Sequence, residues 1–180
     1  MVELIYETHS TTVDNERGVA TGWLPGELSE AGRDQAAELG ERRRDVDAVF
    51  CSDLGRALET VAIAFSGSAV PVFYDWRLRE CDYGALNGAP AAELEVAKHL
   101  EVPFPGGESY REVVERVSSF LDDLRVRWDG KRVVAVSHAA PRWALQHLLD
   151  GTPLEELVGS PFDWQPGWTF RVSAAAGPSL

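Results

Sequence analysis

The chain is poor in cysteine: Cys51 and Cys81 are the only two among 180 residues. A chain of this length can bury a full core without covalent staples. The pair therefore reads as two small buried apolar residues, not as a disulfide framework or a catalytic thiol. Basic residues are also scarce, 17 Lys and Arg against 29 Asp and Glu, for a formal charge of −12. That balance argues against nucleic acid and anionic membrane as partners. It also means that an anion site here needs a local, concentrated cluster of positive charge, which a Debye length of ~8 Å permits. No apolar run approaches the ~20 residues that cross a bilayer, and no basic segment leads into an apolar stretch as a secretion signal would. The expectation is a cytoplasmic, reduced protein. Internal repeats, low-complexity tracts and long Pro/Gly linkers are missing too, so residues 1–180 read as one domain. Neither His-Glu-x-x-His nor Cys-x-x-Cys spacing occurs, and no metal or other cofactor is expected.

What is present is an alternation of short β-branched runs with amphipathic segments. Strands are expected at about 2–6, 48–51, 70–74 and 132–137, each ended by a small polar turn. Ser29 caps a helix that turns Ala36 and Leu39 inward and ends among Arg42, Arg43 and Arg44, where cations suit the carbonyl end. Ser52 or Asp53 caps the next, with Leu54, Leu58, Val61 and Phe65 in one stripe. Ser109 and Glu112 form a capping box ahead of Val113, Val117, Phe120, Leu124 and Trp128. Pro141 suits the first position of a further helix that ends at Gly151. A polar loop from His9 to about Leu28, a loop from Trp76 to Gly88 and a short helix-like piece from Ala91 to Leu100 join these elements. Trp168 to Val172 alternates apolar and polar as an edge strand does, and offers an edge for a homodimer. The pattern predicts an α/β fold of three layers: a mainly parallel central sheet, helices on both faces, one antiparallel edge strand.

His9 and His138 each follow a predicted strand, and ligands of open α/β sheets sit at the carboxyl ends of strands. Arg56 falls in the first turn of a helix that directly follows a strand, which aims it over the same edge. A guanidinium fork gives charge-assisted hydrogen bonds to phosphoryl oxygens worth ~1.5–3 kcal/mol each. The competing arrangement pairs Arg56 with Glu59 at the surface. His99 and His147 lie in helix-like segments, read as surface or partly buried imidazoles, and stay in the background.

Taken in order, these segments resemble the histidine phosphatase superfamily, in its phosphoglycerate-mutase-like branch, over nearly the whole chain. Thr8-His9-Ser10-Thr11-Thr12-Val13-Asp14-Asn15 is similar to the segment after the family's first strand. Thr21-Gly22-Trp23 and Leu28-Ser29-Glu30-x-Gly32-x-x-Gln35-Ala36 resemble its phosphate loop and first helix. Ser52-Asp53-Leu54-x-Arg56-Ala57-x-Glu59-Thr60 resembles its second motif. Leu78-Arg79-Glu80-x-x-Tyr83-Gly84-x-x-Asn87-Gly88 resembles the segment that bears its general acid, followed by Gly107-Glu108-Ser109 and the closing Ser137-His138. The resemblance implies His9 as nucleophile, Arg56 and His138 as clamp on the phosphoryl oxygens, and Glu80 as proton donor to the leaving oxygen. It also implies contacts to a small phosphorylated metabolite from Thr8, Ser10, Asn15, Thr21, Gly22 and Ala139, and a short cap at about 84–108.

Thr8 stands where the family carries Arg, with Ser10 and Thr11 in place of its Gly and Glu. One guanidinium fewer costs ~2–4 kcal/mol of transition-state binding. Three arrangements meet the deficit: Arg142 or Arg17 fills the gap, hydroxyls and backbone amides serve a slower phosphatase, or the site binds a phosphate ester without turnover. A mutase is the further alternative, disfavoured because so short a stretch between Glu80 and Gly107 gives little lid to retain an intermediate. Gly84 to Phe104, Trp23 and the Trp164 to Trp168 loop are expected to shape the entrance, with some apolar bulk for the substrate.

Overall fold

Strands buried on both faces read as continuous apolar runs, and three such runs make the centre of the sheet. The computed structural model describes residues 1–161 and 165–173. Its strands are β1 (Val2–Thr8), β2 (Ala48–Cys51), β3 (Val72–Tyr74), β4 (Arg132–Ser137) and β5 (Trp168–Val172), in the order β3-β2-β4-β1-β5. All neighbours are parallel except β5, which lies antiparallel on β1 with Val2 opposite Val172. The helices are α1 (Val13–Arg17), α2 (Glu30–Arg42), α3 (Gly55–Ala64), α4 (Tyr110–Arg127), α5 (Ala139–Leu145) and α6 (Leu154–Leu157). Successive strand residues point to opposite faces and divide the core in two. Tyr6, Phe50 and Ala135 pack with Val117, Phe120 and Leu124 of α4 and Ala144 of α5 on one face. Ile5, Val49 and Val134 pack with Leu39 of α2 and Val61 of α3 on the other. This is the three-layer α/β architecture that the sequence pattern predicts.

The register brings three strand ends together. Thr8 pairs with Ser137 and Cys51 with Val136, and the ladder runs one residue further through His9 N–H to Ser137 O (2.8 Å) and Ser52 N–H to Val136 O (3.0 Å). His9, Ser52 and His138 thus leave the sheet side by side at its carboxyl edge, where β4 separates β1 from β2 and the chain reverses its direction of travel across the sheet. Open α/β sheets bind ligands at such a point.

Several local expectations are corrected. Helix α3 begins at Gly55 with Leu54 as its cap and no side-chain cap bond, because Ser52 Oγ faces His138 and Asp53 is held by Arg79 at 2.6 Å. Pro141 is the third residue of α5, not the first, a position whose missing N–H leaves no helical bond unmade. Beyond α5 a π-helical turn, Gln146–Asp150, continues to Gly151. The piece at 91–100 is two 3-10 turns, Ala91–Glu93 and Val96–His99, with Glu95 between them at φ 41° in the left-handed region. Strand β3 is trimmed to Val72 at its start. The loop after His9 contains α1, whose Thr12 and Asn15 make a reciprocal capping box. No helix among the described residues is long and apolar enough to cross a membrane.

Candidate active site

His9 is half-buried at the end of β1. Its Nδ1 lies 2.8 Å from the Ser10 carbonyl and its Nε2 lies 3.2 Å from Arg56 Nε. A carbonyl only accepts and a guanidinium only donates, so Nδ1 carries the proton and Nε2 carries the lone pair. Burial, and then the charge of Arg56, drives the imidazole down to a pKa of about 3. The ring is therefore neutral near pH 7, with its basic nitrogen turned toward the guanidinium.

Arg56, 2% exposed, sits in the first turn of α3. Its Nη2 donates to Gly22 O (2.9 Å) and its Nη1 to Leu24 O (3.3 Å). Glu59 does not compete for it: that carboxylate takes Arg33 Nε at 2.9 Å and Leu28 N–H at 3.1 Å. Thr60, one turn further along, donates to Arg56 O and accepts Ser10 N–H (3.1 Å), which ties the His9 loop to α3. Burial lowers the Arg56 pKa, and the neighbouring acidic groups, Glu80 first, oppose that shift.

His138 is fully buried, its ring centroid 5.0 Å from that of His9. Its Nε2 is 2.8 Å from Ser52 Oγ, whereas its Nδ1 has no hydrogen-bond partner among the described residues. A buried polar nitrogen without a partner is costly in an apolar core, and this one sits beside His9. Tyr6 fixes the backbone here, its hydroxyl donating to His138 O and accepting His138 N–H (3.0 Å). Burial, reinforced by the charge of Arg56, holds His138 well below the usual histidine range.

Glu80 completes the cluster. Its Oε1 accepts N–H from Cys81 (2.8 Å) and Ala140 (3.1 Å), and its Oε2 accepts from Ala139 (3.2 Å). Two first-turn amides of α5, which have no helical acceptor, therefore orient both carboxyl oxygens. Behind it, Trp23 Nε1 and Arg116 Nη2 donate to the Glu80 carbonyl at 2.7 and 3.0 Å, and Arg116 is itself gripped by Glu108.

Two lobes open on this cluster, and both touch His9, Asn15 and Glu80. The larger, about 430 Å³, adds Thr8, Thr11, Gln35 and Ala139. The smaller, about 160 Å³, adds Thr21, Gly22 and Arg56 with the apolar Val19, Ala20 and Leu94. Of the residues singled out from sequence, His9, Arg56, Glu80 and His138 converge, and Thr8, Asn15, Thr21, Gly22 and Ala139 line the lobes. Ser10 does not line them; it is buried and contributes its carbonyl to His9. Thr21 spends its hydroxyl on Asp14 (2.8 Å), and Gly22 presents its carbonyl to Arg56. Arg142 stacks 4.6 Å from the Trp168 ring, Arg17 is exposed at the end of α1, and neither lines a lobe. Trp164, expected at the entrance, lies outside the described residues. Tyr6, Ser52 and Thr60 went unassigned: the first reads as a core strand residue, the second as a cap, the third as helix filler. No group of three or more His, Cys, Asp or Glu that could hold a metal occurs among the described residues.

The chain is similar to known proteins over most of its length. A family model described as the histidine phosphatase superfamily (branch 1) matches residues 8–164. Phosphoserine phosphatase 1 of Hydrogenobacter thermophilus is 32% identical over 168 residues, covering 87% of this chain and 80% of that protein. A 2,3-bisphosphoglycerate-dependent phosphoglycerate mutase of Staphylococcus haemolyticus is also 32% identical, covering 84% and 76%. Among solved structures, Bacillus stearothermophilus YhfR superposes with a TM-score of 0.82 at 29% identity, covering 92% of this chain and 88% of that one. A mycobacterial glucosyl-3-phosphoglycerate phosphatase solved with VO3 gives 0.75 at 29% identity, covering 86% and 85%.

Proposed function

The chain belongs to the histidine phosphatase superfamily, branch 1, and on that footing we propose that it hydrolyses a small phosphomonoester through a covalent phosphohistidine on His9. The observation that carries the reading is the His9 imidazole: neutral, its Nδ1 proton fixed on a carbonyl and its Nε2 lone pair beside Arg56, the one guanidinium among the described residues that line the lobes. As phosphorus takes that lone pair, the Arg56 Nε–H passes to a phosphoryl oxygen. The N–P bond forms, the ester P–O bond breaks, and Glu80 delivers its proton to the departing oxygen. Water then attacks phosphorus, Glu80 takes the water proton, and the P–N electron pair returns to Nε2. Arg56 supplies a preorganised donor for the equatorial oxygens, the main service that phosphoryl transfer asks of a protein, while His138, fully buried and lining neither lobe, stands behind His9 at a ring-centroid distance of 5.0 Å.

The relatives include phosphatases and mutases alike. Hydrolysis is favoured here by the openness of the cluster, which meets two lobes at once and so gives water a route to phosphorus. Phosphate release from phenyl phosphate tests the reading: it is expected from the native protein and not from His9→Ala. Undiminished release by His9→Ala would overturn it.

A further inference from the structure

The two lobes hold little charge for a phosphoryl pocket, and we propose that the phosphoryl group accepted there carries a single negative charge: a phosphodiester, or a phosphomonoester that keeps one proton. The inference rests on the reading of His9 as the phosphoryl acceptor and sets the charge of the group it takes, which admits a phosphodiester beside the phosphomonoester proposed above. Among the described residues that line the lobes, Arg56 is one cation and Glu80 is one carboxylate. His9 adds no charge, since an imidazolium has N–H on both nitrogens and could not accept the Arg56 Nε–H at 3.2 Å. His138 is fully buried with Ser52 Oγ, not a carboxylate, on its Nε2. With Glu80 carrying the proton that the transfer step needs, Arg56 is the one full charge among the described residues that line the lobes, inside a molecule of formal charge −12. One guanidinium balances one negative charge; a dianion leaves the second uncompensated in the field of the whole protein.

Charged groups on the surrounding elements are committed elsewhere or lie outside the lobes. Arg116 of α4 is paired with Glu108 at 2.9 Å, and Arg79 with Asp53 at 2.6 Å. Glu7 of β1 is held by Arg43 at 2.7 Å. Asp14 of α1 accepts the Thr21 hydroxyl, and it adds negative rather than positive potential at Arg56. Arg142 of α5, stacked on Trp168, is coupled to Tyr6 and Glu80 and lines neither lobe. The larger lobe, about 430 Å³, is lined beyond His9 and Glu80 by Thr8, Thr11, Asn15, Gln35 and Ala139, uncharged groups suited to a second ester arm. With a diester the chemistry balances as before: Nε2–P forms and one P–O bond breaks with the Glu80 proton going to the leaving oxygen. Water then cleaves P–N and the product is a phosphomonoester that retains the other arm.

Phenyl phosphate and its methyl ester, methyl phenyl phosphate, share a leaving group and differ in charge above pH ~6, where the monoester becomes a dianion. Their dissociation constants from the His9→Ala protein are measured by calorimetry at pH 5 and pH 8, and kcat/KM for phenol release from the unsubstituted protein repeats the comparison without a substitution. The expected result is that phenyl phosphate loses roughly a hundredfold between the two pH values, following its singly charged fraction, while the methyl ester is unchanged. Thr8→Arg should flatten the phenyl phosphate profile. Binding of the dianion at pH 8 as tight as at pH 5 overturns the inference, as does a parallel loss for both ligands, which would assign the titration to a protein group. Absence of binding by either ligand overturns it together with the phosphoryl-site reading. The expected binding pattern without phenol release from either compound would leave the charge inference standing and remove hydrolysis.

Discussion

Replacing Glu80 by Gln separates the proton-donor role from the structural one. The carboxyl accepts three backbone N–H groups, from Cys81, Ala139 and Ala140, at 2.8–3.2 Å. A glutamine with its carbonyl at the Oε1 position keeps the first and third but turns NH2 toward the Ala139 N–H. One buried donor then loses its acceptor, at about 1–3 kcal/mol. At roughly 2–4 °C per kcal/mol for a chain of this size, the midpoint should fall by about 2–12 °C and the fold survive. The chemical loss is larger and depends on the leaving group. An alkoxide needs the proton as it departs, so kcat/KM for an alkyl phosphate should drop about 10²- to 10⁴-fold. p-Nitrophenolate departs as a stable anion, so kcat/KM for p-nitrophenyl phosphate should change by less than about tenfold, since the proton contributes little to that step. Loss of the base for the second step should leave phosphohistidine accumulating, read in a stopped-flow trace as a burst of one p-nitrophenolate per protein. Equal losses for the two leaving groups with no burst would refute the assignment.

Ser52→Ala removes the partner of His138 Nε2 from a fully buried position; an unmade buried bond of ~1–3 kcal/mol predicts a fall of roughly 5- to 100-fold in kcat/KM, and an unchanged kcat/KM would show that His138 needs no such anchor. Gly22→Ala places a methyl 1.8 Å from Asn87 Oδ1 at φ +54°, so urea denaturation should show about 2–4 kcal/mol lost from left-handed strain and from the displaced Asn87; a midpoint within error of native would contradict the close approach. The pH dependence of stability follows from the histidines. Below ~6.5 the unfolded chain protonates them, while the folded protein holds His9 neutral down to about 3 and His138 also well below its ordinary value. The unfolded state therefore binds more protons in this window, so stability is full above pH ~6.5 and falls toward pH 3, by up to about 1.4 kcal/mol per unit for each ring. His9→Gln should remove one ring's share of the slope between pH 6 and 5, and an unaltered slope would refute the buried neutral imidazole.

The layers and the strand order's raw material were readable because parallel strands and amphipathic helices carry different periods. Val133 to Val136 is a continuous apolar run, and Val113, Val117 and Leu124 recur at helical spacing. Boundaries failed where a side chain that looks like a local cap is recruited over a long distance. Ser52 and Asp53 resemble helix caps in sequence, but Ser52 Oγ divides between the Leu54 N–H just ahead of α3 and His138, 86 positions away, and Asp53 serves Arg79, 26 positions away. Pro141 was misplaced by two residues for the same reason: the amides ahead of it, at Ala139 and Ala140, are satisfied by Glu80, so the helix starts earlier than proline chemistry alone suggests. The convergence of His9, Arg56, Glu80 and His138 followed from motif order and from strand-end logic. The supporting shell did not, because Tyr6 and Thr60 act through contacts that depend on register, and no spacing in the chain encodes them.

The central claim is covalent capture on His9 Nε2. Mixing the protein with 32P-labelled phenyl phosphate, quenching within milliseconds in alkali and mapping the labelled peptide tests it directly. The account predicts one acid-labile, base-stable phosphate per chain on the peptide containing His9, absent from His9→Ala. Turnover with label on no residue, or label that survives acid on a hydroxyl such as Ser10 or Thr11, would contradict it.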